Sequence, residues 1–462
     1  MFIKQNNMRF PATPPNVTKI LVKSPEIIEQ VLDMGSSTLP DGRYLHWDDL
    51  RHRPPPSGLT SEHWWAATRL TRGRAATEIT EMTAVFGERF SYVETPYVRE
   101  ALHHFDRRNV SKLFADALGN DDAITEYRVR QLVEEAISSS MLEGARPTTR
   151  EVARQMVREG REPTSRDERM ILNNWRAMRR IVELIDNKAE LDLNLLLDLH
   201  QIIGSGTLDV PDAEGRLRTN EHDVRVRDME GVDWHVPPQA TDPDGNMAPL
   251  PERVESLLAF ANGRSDGATF IHPALRAIIS HYWMAYEHPF RDGNGRMARA
   301  LYYWVMLKNG YEIAEFLSIS GPIDKQARKY YRSFALVHTD NHDVTYFILH
   351  QLEVLNLAME ELTDHLKARV ERTRRLAQLI SSFDTLNHRQ RALLQRAVRK
   401  PLQTYTIEGH ATSHHVTYHT ARSDLARLVA LGFLSSKRVG KGKRFAPTRK
   451  ITSLQERREG AS

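Results

Sequence analysis

Cysteine is absent from all 462 residues. That excludes disulfide bonds and thiolate metal sites, yet fits any compartment. No run approaches the roughly 20 apolar residues that a membrane-spanning helix needs. The opening MFIKQNNMRFPATPP lacks the apolar centre of a secretory signal. A cytoplasmic chain with no membrane partner is therefore expected. Internal repeats and low-complexity tracts are also missing, which removes repeat architectures.

What remains is an ordinary globular composition, 40% hydrophobic and 27% charged, with ample apolar material for a core. The length suggests about three domains. The net charge of +4 conceals an asymmetry: residues 371–462 hold 19 Lys and Arg against 6 Asp and Glu, about +13, which leaves about −9 for the rest. A basic module joined to an acidic body attracts polyanions at one end only.

Residues 1–114 read as a mixed region of unknown role, broken by PATPP and PPPSG. Trp47, Trp64 and Trp65 are expected to form a small aromatic core there. Beyond it helical periodicity takes over. Val129, Val133, Ala136, Ile137 and Ser140 recur at helical spacing, and Gly144 and Pro147 stop the helix. Pro273 starts another, with Leu275, Ile278, Ile279, Tyr282 and Tyr286 on one face. Met297, Ala300, Leu301, Trp304 and Val305 continue the pattern after a Gly-Asn-Gly turn. Residues 217–238 alternate instead, around Gly231, and read as a β-hairpin. A stretch free of Gly and Pro, 343–379, predicts a long connecting helix.

The densest chemistry lies in HPFRDGNGRMAR, residues 288–299. Gly293 and Gly295 permit close approach of a ligand to the backbone. Just before a helix, such a turn aims unpaired N–H groups and the positive dipole end at one point, an anion site. Arg296 and Arg299 add paired, charge-assisted contacts suited to phosphate oxygens. Asp292 beside such a site calls for a cation between them, and Mg²⁺ takes one carboxylate plus phosphate oxygens and water. His288 is left as the group titrating near neutral pH, suited to accept a proton from a nucleophile. Together these residues describe transfer of a phosphate-containing group to a hydroxyl.

The stretch resembles the signature of Fic-domain proteins, His-x-Phe-x-(Asp/Glu)-Gly-Asn-Gly-Arg-x-x-Arg, at every specified position. The resemblance implies a mainly α-helical core with a β-hairpin flap, over 115–340. It also implies a protein adenylyltransferase that moves AMP from ATP to a Ser, Thr or Tyr hydroxyl of a target protein, itself included. On it, His288 is the general base, Asp292 holds Mg²⁺ (Mn²⁺ is the alternative) and Gly293, Asn294 and Gly295 form the anion hole. Arg296 and Arg299 bind the outer phosphates, Phe290 anchors the loop, and 217–238 is a flap that holds a target segment by main-chain pairing. A related branch that phosphorylates its targets has Lys in place of Gly295, so Gly295 favours nucleotidyl transfer.

Upstream, SSSMLEG contains Ser139, Glu143 and Gly144 and resembles the family's inhibitory pattern, (Ser/Thr)-x-x-x-Glu-(Gly/Asn), on a helix over about 124–144. That implies Glu143 pairing with Arg299 in the place of the γ-phosphate. The same glutamate is open to a second role, orienting a water that removes AMP from a modified target.

Past a connecting helix, 341–380, residues 381–450 read as three helices and a two-stranded wing, which resembles a winged helix–turn–helix. Thr417, Tyr418, His419, Thr420, Arg422 and Ser423 would face a major groove, and Arg438, Lys441, Lys443 and Arg444 would reach phosphates. Contact with double-stranded DNA or with a protein partner are both open. His410, His414, His415 and His419 are expected to face solvent or DNA rather than a metal. The alternatives to an adenylyltransferase are a nucleotide-sensing transcriptional regulator and a de-AMPylating hydrolase. A homodimer is left open.

Overall fold

A computed structural model describes residues 2–3, 8–33, 38–39, 42–85, 87–107, 111–118, 121–145, 150–264, 270–381, 383–399, 403–439 and 442–450. The chain is mainly helical. It divides into two units, residues 1–108 with 128–359, and residues 109–127 with 360–462.

In the first unit, the helices that position the site are α1 (Ser61–Ala75), α2 (Asp121–Leu142), α3 (Arg166–Asp186), α4 (Leu193–Gly204), α5 (Leu250–Ala261), α6 (Pro273–Glu287), α7 (Asn294–Lys308) and α8 (Ala327–Thr339). Its strands are β1 (Phe2–Ile3), β2 (Thr77–Thr83), β3 (Arg89–Tyr92), β4 (Val226–Asp228) and β5 (Asp233–His235). Helices α6 and α7 are buried almost all round, so the apolar stripe expected of α6 understates its burial. A helix that is apolar on every side belongs at the centre of a core.

The hairpin expected over 217–238 is present as β4 and β5, paired antiparallel around Gly231 with φ of +83°. The long helix is α9 (Thr345–Ser381). Helix α2 ends as its sequence demands. Gly144 adopts φ of +105°, its N–H bonds to Met141 O at 3.0 Å, and the Ala145 N–H bonds to Ser140 O at 3.0 Å. That paired closure is the glycine-terminated helix end, and it fixes Glu143 as the last capping residue. Pro147 lies outside the described residues.

The first 108 residues share a unit with 128–359, where the sequence suggested a separate region. The reason is a buried polar network. Arg69 pairs with Asp340 at 3.1 Å and Asp343 at 3.2 Å. Arg72 lies over the Tyr44 ring at 3.5 Å and donates to the Tyr346 hydroxyl at 2.8 Å. The Tyr44 hydroxyl donates to Asp343 at 2.6 Å. Removing Arg69 would take the cation from two buried carboxylates, Asp340 and Asp343. Trp64 and Trp65 pack with Leu50, with Trp47 against them, as the aromatic spacing suggested.

The second unit holds α10 (His388–Arg399), α11 (Ile407–His414), α12 (Tyr418–Ala430) and an antiparallel pair, β6 (Leu434–Val439) and β7 (Gly442–Pro447). Ile380, Leu394, Ala421, Leu425, Leu428 and Phe433 are among its core residues.

Candidate active site

His288 closes α6 in a left-handed conformation, φ 46° and ψ 55°. For a residue with a Cβ this costs about 1–2 kcal/mol, so the surroundings must hold it. Arg218 does. Its Nε donates to the His288 carbonyl at 2.8 Å, its Nη2 donates to the carbonyls of Glu287 (3.1 Å) and Pro238, and its own N–H bonds to Pro289 O at 2.9 Å. One buried guanidinium thus satisfies the orphan carbonyls at the end of α6 and ties the flap's base to them. Burial lowers the Arg218 pKa to about 10, so it stays charged at neutral pH. Beneath it, Arg253 of α5 pairs with buried Glu287 at 3.0 Å.

The imidazole's tautomer follows from its contacts. Nδ1 lies 3.0 Å from Ala285 O. A carbonyl only accepts, so Nδ1 carries the hydrogen and Nε2 keeps its lone pair. Burial pushes the His288 pKa down to about 3, below the near-neutral titration its residue type suggests. The ring is therefore an unprotonated base throughout neutral pH.

Helix α4 grips the loop from the other side. The His200 ring stacks on Phe290 with centroids 3.7 Å apart and planes 3° apart. His200 Nδ1 accepts from Gly215 N at 3.0 Å, which leaves Nε2–H to donate to the Asp292 carbonyl at 2.9 Å. Phe290 is fully buried, the anchor its motif position implied.

Asn294, expected in an anion hole, uses its side chain inside the loop. Its Oδ1 accepts from Phe290 N at 2.9 Å and its Nδ2 donates to Phe290 O at 2.8 Å. The loop leaves main-chain donors free of intrahelical partners: Gly293 sits at φ +82° before α7, and the N–H groups of residues 294, 295 and 296 belong to the first turn, where a helix has no internal acceptors. Arg296 is buried and donates Nη1 to Ile203 O at 2.9 Å, while its Nε is buried with no protein partner.

Arg299 meets α2. Its Nε donates to Ser139 Oγ at 2.8 Å, and its Nη2 donates to Ser139 O and to Glu143 Oε1, each at 3.0 Å. Residues 139 and 143 are one helical turn apart and so face the same way. Burial works against the arginine's charge, but Glu143, Tyr330 and Glu135 around it together outweigh this and its pKa moves up. The carboxylate also lies directly on the start of α7: a Cβ built on Gly295 would stand 2.0 Å from Glu143 Oε1. Gly295 is thus the residue that lets Glu143 reach the start of α7. Gly295→Ala is expected to destabilise the chain by about 1–3 kcal/mol through overpacking. In a Glu143→Gly background most of that loss should vanish, and urea unfolding of the four chains measures the coupling.

For a metal, Asp292 is half-buried and its Oδ1 accepts from Gly293 N at 2.7 Å. Among the described residues no group of three or more His, Cys, Asp or Glu could hold an ion. One carboxylate suits Mg²⁺ only where phosphate oxygens and water complete its shell.

The loop opens onto a small cleft walled by Val226, Trp234 and His235 of the hairpin and by Tyr330, Tyr331 and Phe334 of α8. The His235 and His288 rings lie 6.3 Å apart. Sequence reasoning did not single out Arg218, His200 or the α8 aromatics, because none belongs to a local motif.

Residues 190–306 match the Fic/DOC family. The chain contains a Fic domain. The matched span covers α4, the flap, α6, the loop of residues 288–293 and most of α7, but neither Ser139 nor Glu143. The protein adenylyltransferase Fic of Drosophila virilis is 33% identical over 135 residues, 29% of this chain and 24% of that protein. Its Drosophila willistoni counterpart is 32% identical over 135 residues, 29% of this chain and 23% of that protein. The match thus spans about a quarter of these curated relatives. A solved Fic family protein from Desulfovibrio desulfuricans G20 overlaps 77% of this chain and 97% of its own, with 20% identity and a TM-score of 0.47.

Buried histidines make the unit that holds the Fic domain acid-sensitive. Burial lowers His46 and His288 to about 3, and His200 and His350 to about 4. Unfolded histidine titrates near 6.5. Between these values the unfolded chain binds more protons than the folded one, so stability is fully present above pH 6.5 and falls as pH drops towards 4. The expected loss by pH 5 is on the order of 1–2 kcal/mol per histidine, read as a falling urea midpoint.

No helix among the described residues is long and apolar enough to cross a membrane.

Proposed function

We propose that the chain is a protein adenylyltransferase, transferring AMP from ATP to a Ser, Thr or Tyr hydroxyl of a protein, itself included, with Glu143 as its brake. The observation that carries this reading is Glu143 Oε1 resting between Arg299 and Gly295, a carboxylate in a place shaped for phosphate. His288 Nε2 opens towards the same cleft. An acceptor hydroxyl gives its proton to Nε2 as its oxygen bonds to the α-phosphorus. The bond from that phosphorus to the bridging oxygen breaks, and pyrophosphate leaves. A base pushed down to about 3 accepts the proton more readily once the triphosphate brings negative charge beside it. The N–H groups at the start of α7 steady the phosphate charge. Asp292 would hold Mg²⁺, or Mn²⁺, which supplies charge neutralisation across the phosphates.

Incubation with α- and γ-labelled ATP tests the reading. Label from the α position on protein supports AMP transfer, label from the γ position means phosphorylation, and neither leaves a nucleotide-sensing regulator. Release of AMP from modified protein by the wild-type chain, lost in Glu143→Gly, would make Glu143 a hydrolytic base.

For the second unit the reading is a winged helix–turn–helix that binds double-stranded DNA. Its support is an exposed face: Tyr418, His419, Arg422 and Ser423 on α12, with Arg438, Lys443 and Arg444 on the hairpin. Thr417 caps α12 by accepting from Thr420 N at 3.3 Å. Lys441 lies outside the described residues. His410 does not belong to that face, because it is buried against Asp424 at 3.3 Å. That corrects its expected exposure, which overlooked an acid fourteen residues away. If four phosphates are contacted, affinity for duplex DNA should fall about 10²-fold between 50 and 200 mM salt. A flat response removes the DNA reading.

A further inference from the structure

The flap is not a bare hairpin. Its strand order is β1-β4-β5. Phe2 and Ile3 lie parallel to β4, opposite Arg227 and Asp228. The outward edge of β4 is therefore taken by the chain's own leading segment. Further along, the Phe10 ring packs on Trp234 of β5 at 5.2 Å, and Ala12 N–H donates to Asp48 Oδ1 at 3.2 Å. Val226 of β4 and Trp234 wall the cleft that contains His288, so this edge borders the catalytic base.

Two features make the occupant unusual. From Met1 to Ala12 the sequence MFIKQNNMRFPA has no Ser, Thr or Tyr, and the first hydroxyl is that of Thr13. Among the described residues its ladder covers two positions, against a usual strand of about five or six. A strand edge recruits whatever extended segment can pair with it. A short, hydroxyl-free segment holds the edge without offering an acceptor, and a longer segment can displace it.

We infer that residues 2–3 act as an exchangeable pseudosubstrate, closing the target-docking edge of the flap until a hydroxyl-bearing target strand, running parallel to β4, takes their place. This rests on the adenylyltransferase reading and adds a barrier to target entry that is separate from the Glu143 barrier to productive ATP binding. A target is thus selected partly by its ability to outcompete MFI on β4.

The probe is a fluorescein-labelled peptide of sequence MFIKQNNMRFPA. It is expected to bind a chain lacking residues 1–7 at least tenfold more tightly than the full chain, as read by anisotropy. A full-length Phe2→Pro/Ile3→Pro chain, which loses whichever of these two N–H groups pairs with β4, should bind the peptide as the shortened chain does. Equal binding to all three chains, or binding to none, overturns the inference.

A second arm uses the reaction. Phe2→Ser, Ile3→Ser and Lys4→Ser are each placed in the Glu143→Gly chain with ATP. Transfer of the serine proton to His288, bonding of serine Oγ to the α-phosphorus and departure of pyrophosphate would leave AMP on the new serine, located by mass spectrometry. Labelling elsewhere in the chain with none at these three positions overturns the pseudosubstrate role. Absence of all labelling sinks the adenylyltransferase reading instead, and the peptide measurement still decides who occupies β4.

Discussion

Glu143→Gly is expected to raise incorporation of α-labelled AMP into the chain by about 10- to 100-fold. Glu143 Oε1 bonds to Arg299 at 3.0 Å in a position only 6% exposed. A hydrogen bond between charged groups is worth about 1.5–3 kcal/mol, and each 1.4 kcal/mol is a factor of ten. Removing the carboxylate also removes negative charge from the start of α7, where a phosphate would otherwise be repelled. The cost of the substitution is a buried Arg299 with one partner fewer. It keeps two contacts with Ser139, so the fold should survive, and nucleotide supplies the missing anion. Adding ATP should therefore raise the melting temperature of the variant more than that of the parent chain. A variant that is well folded and no more active than its parent would remove Glu143 from the role of brake.

His288→Ala in that activated background should lower labelling by about 10²–10⁴-fold, the usual worth of a positioned base. ATP affinity should change little, because the phosphate contacts proposed for this loop lie on α7 and Arg299. Its pH dependence separates this base from an exposed histidine. A base lowered to about 3 stays unprotonated well below neutrality, so activity per folded molecule should be level from pH 8 to about 6, where an ordinary histidine near 6.5 would already be half lost. Loss of activity below pH 6 should follow loss of the fold, as the buried histidines dictate. A rate that halves near pH 6.5 in fully folded protein would contradict the buried, neutral state of His288.

Much of this was legible in the residues. HPFRDGNGRMAR defined the loop and its chemistry, and the helix ahead of it was set by Pro273 and the apolar residues that follow. The hairpin was readable from alternation around Gly231, and the end of α2 from Gly144. These features depend on neighbours a few positions apart, where backbone sterics and periodicity act directly.

Other features were not readable. The side chain of Asn294 bonds to Phe290 N and O, a role its motif position did not show, because only the folded loop brings that backbone within reach. His288 looked like a group titrating near neutral pH, until burial removed water from its charged form. Arg218 has no motif around it, and its importance lies in three carbonyls about 20 and 70 residues away. His410 looked exposed beside other histidines, yet Asp424 was waiting one helix further on.

By itself the sequence determined the motif of residues 288–299, the helices on either side of it, and the charge difference between the two ends of the chain. Only the tertiary structure decided that Arg218 ties the flap's base to the end of α6, that residues 2–3 lie along β4, and that His288 is buried. Local spacing fixes which groups share a helix face or a turn. Which faces then meet, and how much water is left between them, depends on packing the whole unit.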